Sequence, residues 1–287
     1  MDGVLLIDKL VGITSFDVVR RVRKALNVRR VGHAGTLDPL ASGLLVVCVG
    51  QATKLVPYLM DGNKQYRVTV TLGTGTDTLD SEGAVVETAA IPPFDEARLQ
   101  SVLAAFIGDI DQVPPMFSAL KRNGEALYKK ARRGESVNLK PRVVRIDAID
   151  IVETTPDTFT LNVTCGKGTY IRALARDIAR DLGTVGHVSM LRRTSASGFA
   201  VTDATPLDTL EENAVDRLIP LAGALPHLPR LILLEKQETA IRYGQAIQVD
   251  VMESDGPVAL VSGENALVAV AQATADGLVK PVRVFPK

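Results

Sequence analysis

Tryptophan is missing from the 287 residues and the aromatic share is only 4%, so few rings are available to stack on a ligand. Cysteine occurs twice, as Cys48 and Cys165, each inside an apolar, strand-like run and without Cys-x-x-Cys spacing. That pattern predicts two reduced core residues rather than a disulfide or metal ligands. The three histidines, His33, His187 and His227, are too scattered for a zinc site. The residues therefore predict metal-free chemistry. No apolar run approaches the ~18–20 residues of a membrane span. Residues 4–7, held between Asp2 and Asp8, read as a strand rather than a signal peptide. With neither membrane segment nor address, the expectation is a cytoplasmic protein.

Net charge is absent too, since 33 Lys and Arg balance 33 Asp and Glu. The sum hides a local asymmetry. Arg20, Arg21, Arg23, Lys24, Arg29 and Arg30 form one basic cluster. Lys121, Arg122, Lys129, Lys130, Arg132, Arg133, Lys140, Arg142 and Arg145 form another, against only Glu125 and Glu135. Acids gather elsewhere, at Asp77, Asp80, Glu82 and Glu87 and again at Asp95, Glu96, Asp109 and Asp111. One face could then meet phosphates while another meets water. Two ordinary solvated helix faces would give the same pattern.

The length suits one large or two modest domains, and 46% hydrophobic content is ample for a core. Ser15 is placed to cap a helix over 15–26 whose apolar face is Phe16, Val19, Val22 and Leu26. Residues 52–59 read as a short helix. Tyr66, Val68, Val70 and Leu72 alternate with polar residues, a half-buried strand. Residues 95–107 read as an amphipathic helix closed by Gly108. Asn123-Gly124 signals a turn, and 125–133 a basic helix stopped by Gly134. Two long strands follow, 143–152 and 158–165, then a helix from Thr169 through Leu182. Neither Gly73-Thr-Gly75 nor Gly166-Lys-Gly168-Thr has the spacing of a nucleotide-binding loop. A proline-spaced stretch, 220–229, marks a boundary, giving domains 1–225 and 226–287. The second carries a short helix, 235–243, and short strands at 248–251, 257–261, 267–271 and 282–285, the pattern of a small β-barrel.

The richest segment is His33-Ala34-Gly35-Thr36-Leu37-Asp38-Pro39-Leu40-Ala41-Ser42-Gly43. It holds one carboxylate, Asp38, in a glycine-bounded loop just before a buried-looking strand. Asp-Pro favours an extended or turn geometry, and the glycines let the backbone approach a ligand. Loops held by a rigid strand are where catalytic groups concentrate. Taken alone, Asp38 would more simply open a turn.

The run Gly32 to Gly43 resembles the catalytic motif of the TruB family of tRNA pseudouridine synthases. Four further stretches match that family in order: Asp61-Gly-Asn-Lys-Gln-Tyr66-Arg-Val, Pro114-Pro115-Met-Phe-Ser118-Ala-Leu-Lys, Gly166-Lys-Gly168-Thr-Tyr170-Ile-Arg172, and Leu191-Arg192-Arg193. Residues 226–287, with Arg242-Tyr-Gly244-Gln, resemble a PUA domain, an RNA-binding module. The resemblance implies an α/β catalytic fold around a mixed, largely antiparallel sheet, followed by a PUA-like barrel. It implies isomerisation of uridine 55 in the T-loop of tRNA, with no cofactor, because no atom or electron is gained.

It also assigns roles. Asp38 would be the nucleophile, attacking either sugar or uracil. Arg172 would favour its ionised form, typically by ~1–3 pKa units, and orient it through a fork that Lys lacks. Tyr66 would stack on the extracted base and is a candidate for proton abstraction. Tyr170 and Leu191 would line the pocket, and His33 would fill the place the base vacates. Lys9-Leu10-Val11-Gly12-Ile13-Thr14-Ser15 matches a buttressing segment with Leu10 where the family has proline, which puts rigidity there in doubt. The implied partner is the T-arm stem-loop of tRNA, bound by a monomer with no obligatory protein partner and no membrane. Two alternatives stay open: a tRNA-folding chaperone, and a guide-dependent relative acting on ribosomal RNA.

Overall fold

The apolar alternation at residues 64–72 becomes a strand whose inward residues, Lys64, Tyr66, Val68, Val70 and Leu72, are all buried. The computed structural model describes residues 1–122, 124–135, 137–250 and 255–286. In chain order the first elements are β1 (Gly3–Lys9), α1 (Ser15–Leu26), β2 (Val31–His33), β3 (Ser42–Val49), α2 (Val56–Asp61) and β4 (Lys64–Leu72). Among the described residues a ten-stranded sheet runs Thr205–Pro206, β1, β3, Gly186–Ala196, β4, Thr158–Cys165, Arg142–Thr154, Gly108–Gln112, with β2 beside β3 and Phe199–Ala200 beside Gly186–Ala196 off this path. Its pairings are antiparallel except where β1 meets Thr205–Pro206 and where Arg192 and Arg193 meet Ser42 and Gly43. The expected mixed, largely antiparallel α/β fold is present.

β3 is apolar on both faces because both are covered. Leu45, Val47 and Val49 pack with Val18, Val22, Ile171, Leu174 and Ile178 of the helices in front. Leu44, Val46 and Cys48 pack behind, in a layer that includes Val261, Leu267, Val270 and Phe285 from the C-terminal region. Cys48 and Cys165 are free and buried. Burial pushes the Cys48 thiol up to about 12 and Cys165 up to about 11, so both stay protonated.

The expected small barrel is a curled, five-stranded half-barrel in the order Arg230–Ile232, Gly256–Val261, Leu267–Ala273, Leu278–Val284, Ile247–Gln248. The expected strand at 248–251 starts one residue earlier, and Val251 lies outside the described residues. Asn123 of the expected Asn-Gly turn also lies outside them.

Boundaries shift for local reasons. Thr14, not Ser15, caps α1: its hydroxyl accepts from the Asp17 amide while Asp17 accepts from the Thr14 amide, a reciprocal capping box. The helix expected at 95–107 is α-helical only over Glu96–Leu103, and Gly108, at φ +103°, opens a strand. Glu125 and Ala126 pair with Lys121 and Arg122, leaving the basic helix Leu127–Arg132. Among the described residues no helix is long and apolar enough to cross a membrane.

Candidate active site

The Asp38 loop is held by its neighbours as well as by its own turn, in which the Ala41 amide donates to the Asp38 carbonyl at 3.0 Å. Ser15, at the start of α1, donates through Oγ to the Leu37 carbonyl (3.0 Å) and accepts from the Leu37 amide (2.8 Å). The Gly12 amide donates to the Pro39 carbonyl at 2.8 Å. Lys9 is fully buried, and its Nζ donates to the carbonyls of Leu10, Ile13 and Pro39 at 2.9, 2.8 and 3.3 Å. Burial lowers its pKa to about 8, which still leaves it charged at neutral pH. Three ammonium hydrogens thus meet three carbonyls. Leu10, standing where the family has proline, is gripped through its carbonyl by this lysine.

Asp38 faces Arg172. Arg172 Nη2 lies 2.8 Å from Asp38 Oδ2 and donates to the Phe117 carbonyl at 2.9 Å. Nη1 donates to the Thr78 carbonyl (2.7 Å) and to Asp80 Oδ2 (3.1 Å). The guanidinium is 5% exposed, whereas the Asp38 side chain keeps 38% exposure, open to the cleft in front of it. Sequence reasoning put Asp80 among solvated acids. It is in fact buried, with Oδ1 accepting from the Thr78 hydroxyl (2.6 Å) and the Glu82 amide (3.1 Å).

Arg172 favours the ionised form of Asp38, as expected, but it does not outweigh burial. Desolvation is the largest influence and raises the pKa; Arg172 pulls the other way, and Asp80 adds to the rise through like-charge repulsion. The arginine moderates the shift, and it meets Asp38 through Nη2 on Oδ2 alone rather than by the expected fork onto both oxygens, because Nη1 is taken by Thr78 and Asp80.

Tyr66, Tyr170, Leu191 and Arg172 line one cleft of about 330 Å³ with Asp38. Tyr66 on β4 and Leu191 on the Gly186–Ala196 strand are both nearly buried. Burial raises the Tyr66 hydroxyl above its ordinary range, with Arg193 the main opposing influence. Tyr170 sits at the N-terminus of the Ile171–Asp181 helix. Its amide donates to Gln112 Oε1 (2.8 Å) and its carbonyl accepts from Gln112 Nε2 (3.2 Å), so one buried glutamine pins its backbone. Thr169, the expected cap, instead donates to the Gly166 carbonyl at 3.2 Å.

His33 is not among the residues lining the cleft. It ends β2, part-buried, with Nδ1 unpartnered and its pKa lowered by burial. The basic clusters are partly neutralised by the fold. Arg133 bonds Glu125 and Glu135, Arg145 reaches Asp109 and Asp147, and Lys24 reaches Glu211. Among the described residues no three His, Cys, Asp or Glu side chains gather as metal ligands.

Family models match nearly end to end: the N-terminal domain of TruB family pseudouridylate synthases over residues 23–171, and two TruB C-terminal domains over 172–221 and 229–285. This chain belongs to the TruB family. A relative named tRNA pseudouridine synthase B from Gluconacetobacter diazotrophicus is 48% identical over 256 residues, 87% of this chain and 83% of its own length. A protein of the same name from Caulobacter vibrioides is 42% identical over 99% of this chain and 96% of its own. Among solved structures, a Cbf5–Nop10–Gar1 complex contains a chain 26% identical with a TM-score of 0.76, covering 99% of this chain and 84% of that one. Asp80, Gln112, Lys9 and Arg193 support the cleft or its loop and were not among the residues expected to form it. Lys9 and Arg193 carried a signal, one in the buttressing match and the other in the Leu191-Arg192-Arg193 match.

Proposed function

We propose that this TruB-family chain converts uridine 55 in the T-loop of tRNA to pseudouridine. The observation that carries the reading is the Asp38–Arg172 ion pair at the foot of a cleft walled by Tyr66 and Leu191. Isomerisation breaks the bond from C1′ to N1 and forms one from C1′ to C5; a proton leaves C5 and one is gained at N1. Asp38 supplies the nucleophile, adding to C1′ of the ribose or to C6 of the uracil. Arg172 keeps the attacking oxygen aimed, and Tyr66 stacks on the base. Everting a loop nucleotide costs a few kcal/mol and one aromatic stack returns roughly 1–3 kcal/mol. His33, close in sequence to the catalytic loop, fills the vacated position in the RNA. Residues 226–287 act as a PUA-like RNA-binding domain, and the protein works as a monomer in the cytoplasm.

Relatives named for tRNA at 40–48% identity support a tRNA substrate over a guide-directed one. The Cbf5 complexes are more distant, at 24–26%. The deciding experiment is to incubate purified protein with an unmodified T-arm stem-loop, without guide RNA or other protein, and map the modified uridines. Pseudouridine at position 55, absent with Asp38→Asn although RNA still binds, is the expected result. Substantial turnover by Asp38→Asn would overturn the role of the carboxylate. Modification at another uridine would overturn the substrate.

A further inference from the structure

Arg193 heads the fully buried side chains, at 1% exposure, and among the described residues no carboxylate pairs with it. Burying an unpaired charge costs several kcal/mol. A position that only filled space would be more stable as an apolar residue. The guanidinium instead satisfies two backbone carbonyls. Nε donates to the Leu44 carbonyl at 2.7 Å and Nη2 to the Gly35 carbonyl at 3.1 Å, bracketing the Asp38 loop on both sides. The Tyr66 hydroxyl feels the same cation, which is the main influence opposing the rise that burial gives its pKa.

The backbone imposes this meeting. Arg193 and Tyr66 stand directly opposite each other across the antiparallel pair of Gly186–Ala196 with β4. Opposed residues share a face of the sheet, and both line the cleft. Across the other neighbour, Gly43 at φ +100° leaves room for this strand: a Cβ there would fall 2.2 Å from the Arg193 carbonyl. A guanidinium has five donors and no acceptor. Wherever it bonds the phenol, oxygen must accept, so the phenol's own hydrogen is turned away from Arg193.

We propose that Arg193 is a positioning residue for Tyr66: it holds the phenol oxygen from behind, turns the O–H toward the cleft, and stabilises the phenolate that removes the proton from C5. The inference rests on the pseudouridine synthase reading and assigns its proton-transfer step. In that step the C5–H proton passes to the Tyr66 oxygen, the bonding pair returns to the uracil ring, and Tyr66 later releases the proton to solvent. The cation also offsets the desolvation that burial imposes on the phenol.

The test is the single-turnover rate on saturating T-arm stem-loop between pH 6 and 10, with RNA affinity measured separately. Wild type, Tyr66→Phe, Arg193→Lys and Arg193→Met are compared. The wild-type rate should rise with pH, and the rise should vanish in Tyr66→Phe. Arg193→Met should lose about 100-fold in rate at pH 7, the range of a general base, with RNA affinity changed only a few-fold and the rise displaced to higher pH. Arg193→Lys, which keeps a cation and a donor, should fall between. An unchanged pH profile in the Arg193 variants, or a loss confined to RNA affinity, would overturn the proposal. Should both variants fail to fold, a flat wild-type profile overturns it and a rise lost in Tyr66→Phe supports it. No pseudouridine from wild type at any pH would refute the parent reading instead.

Discussion

Ser15 and Leu37 are hydrogen-bonded to each other twice, through one hydroxyl that donates to the carbonyl and accepts from the amide. The pair joins the first turn of α1 to the residue before Asp38. Ser15→Ala leaves a buried carbonyl and amide unpaired, a loss of about 1–3 kcal/mol for each group that water does not reach. Urea denaturation should register the destabilisation. The turnover rate should fall as well, because the carboxylate loses its fixed approach. Wild-type turnover in a destabilised Ser15→Ala protein would show that the loop needs no such anchor.

Acid inactivation should come early. In the proposed reaction the ionised form of Asp38 is the nucleophile, and its pKa is raised from the ordinary 3.8. The rate should therefore be half lost at a pH above 3.8 as acidity increases, while the protein is still folded by circular dichroism. The stability effect has the same origin. A carboxyl whose folded pKa lies above its unfolded value favours folding below the unfolded pKa, and that contribution disappears as pH rises through the folded one.

Asp80→Asn separates charge from geometry. It removes the like charge that helps raise the Asp38 pKa, so the acid limb should move to lower pH. It also loosens Arg172, whose Nη1 keeps only the Thr78 carbonyl as a strong acceptor. The rate at neutral pH should drop by about 10- to 100-fold, the scale of one charge-assisted bond of ~1.5–3 kcal/mol. RNA affinity should hold. A weakened affinity with normal turnover would mean that Asp80 serves the RNA and not the arginine.

Salt titration can sort the basic residues. Lys121 and Lys129 have no ion pair among the described residues, whereas Arg133 is bonded to two glutamates. If the first two contact phosphates, Lys121→Ala and Lys129→Ala should each flatten the slope of log affinity against log salt by about 0.7–0.9. Arg133→Ala should leave the slope nearly unchanged. Equal effects from all three would place the glutamate-bound arginine on the RNA as well.

Much of this was legible in the sequence. Period-two alternation located β4, and the Gly-bounded Asp-Pro segment located the loop of the candidate carboxylate. The strand Gly186–Ala196 escaped because its pairing with β4 shifts register between Val188 and Met190 and again between Arg193 and Ser195. Each bulge reverses which residue points inward and erases the alternation. Its buried arginine also reads as a surface residue to any hydropathy rule. Gly108–Gln112 escaped for another reason: it is an edge strand, and its aspartates pair across from Val143 and Arg145. Charges are common on edges, where they discourage pairing with other chains. Asp80 was misjudged because an acid among acids looks solvated until a distant arginine, 92 residues on, is brought against it.

The rear of the large sheet and the C-terminal strands share one apolar layer, in which Leu44 and Val46 lie with Val261, Val270 and Phe285. Two bodies welded through a common interior cannot hinge like jaws. Under the proposed function, an RNA arm reaching both would meet a preset gap, as between the arms of a caliper, and its length and bend would be sensed before any nucleotide left its stack.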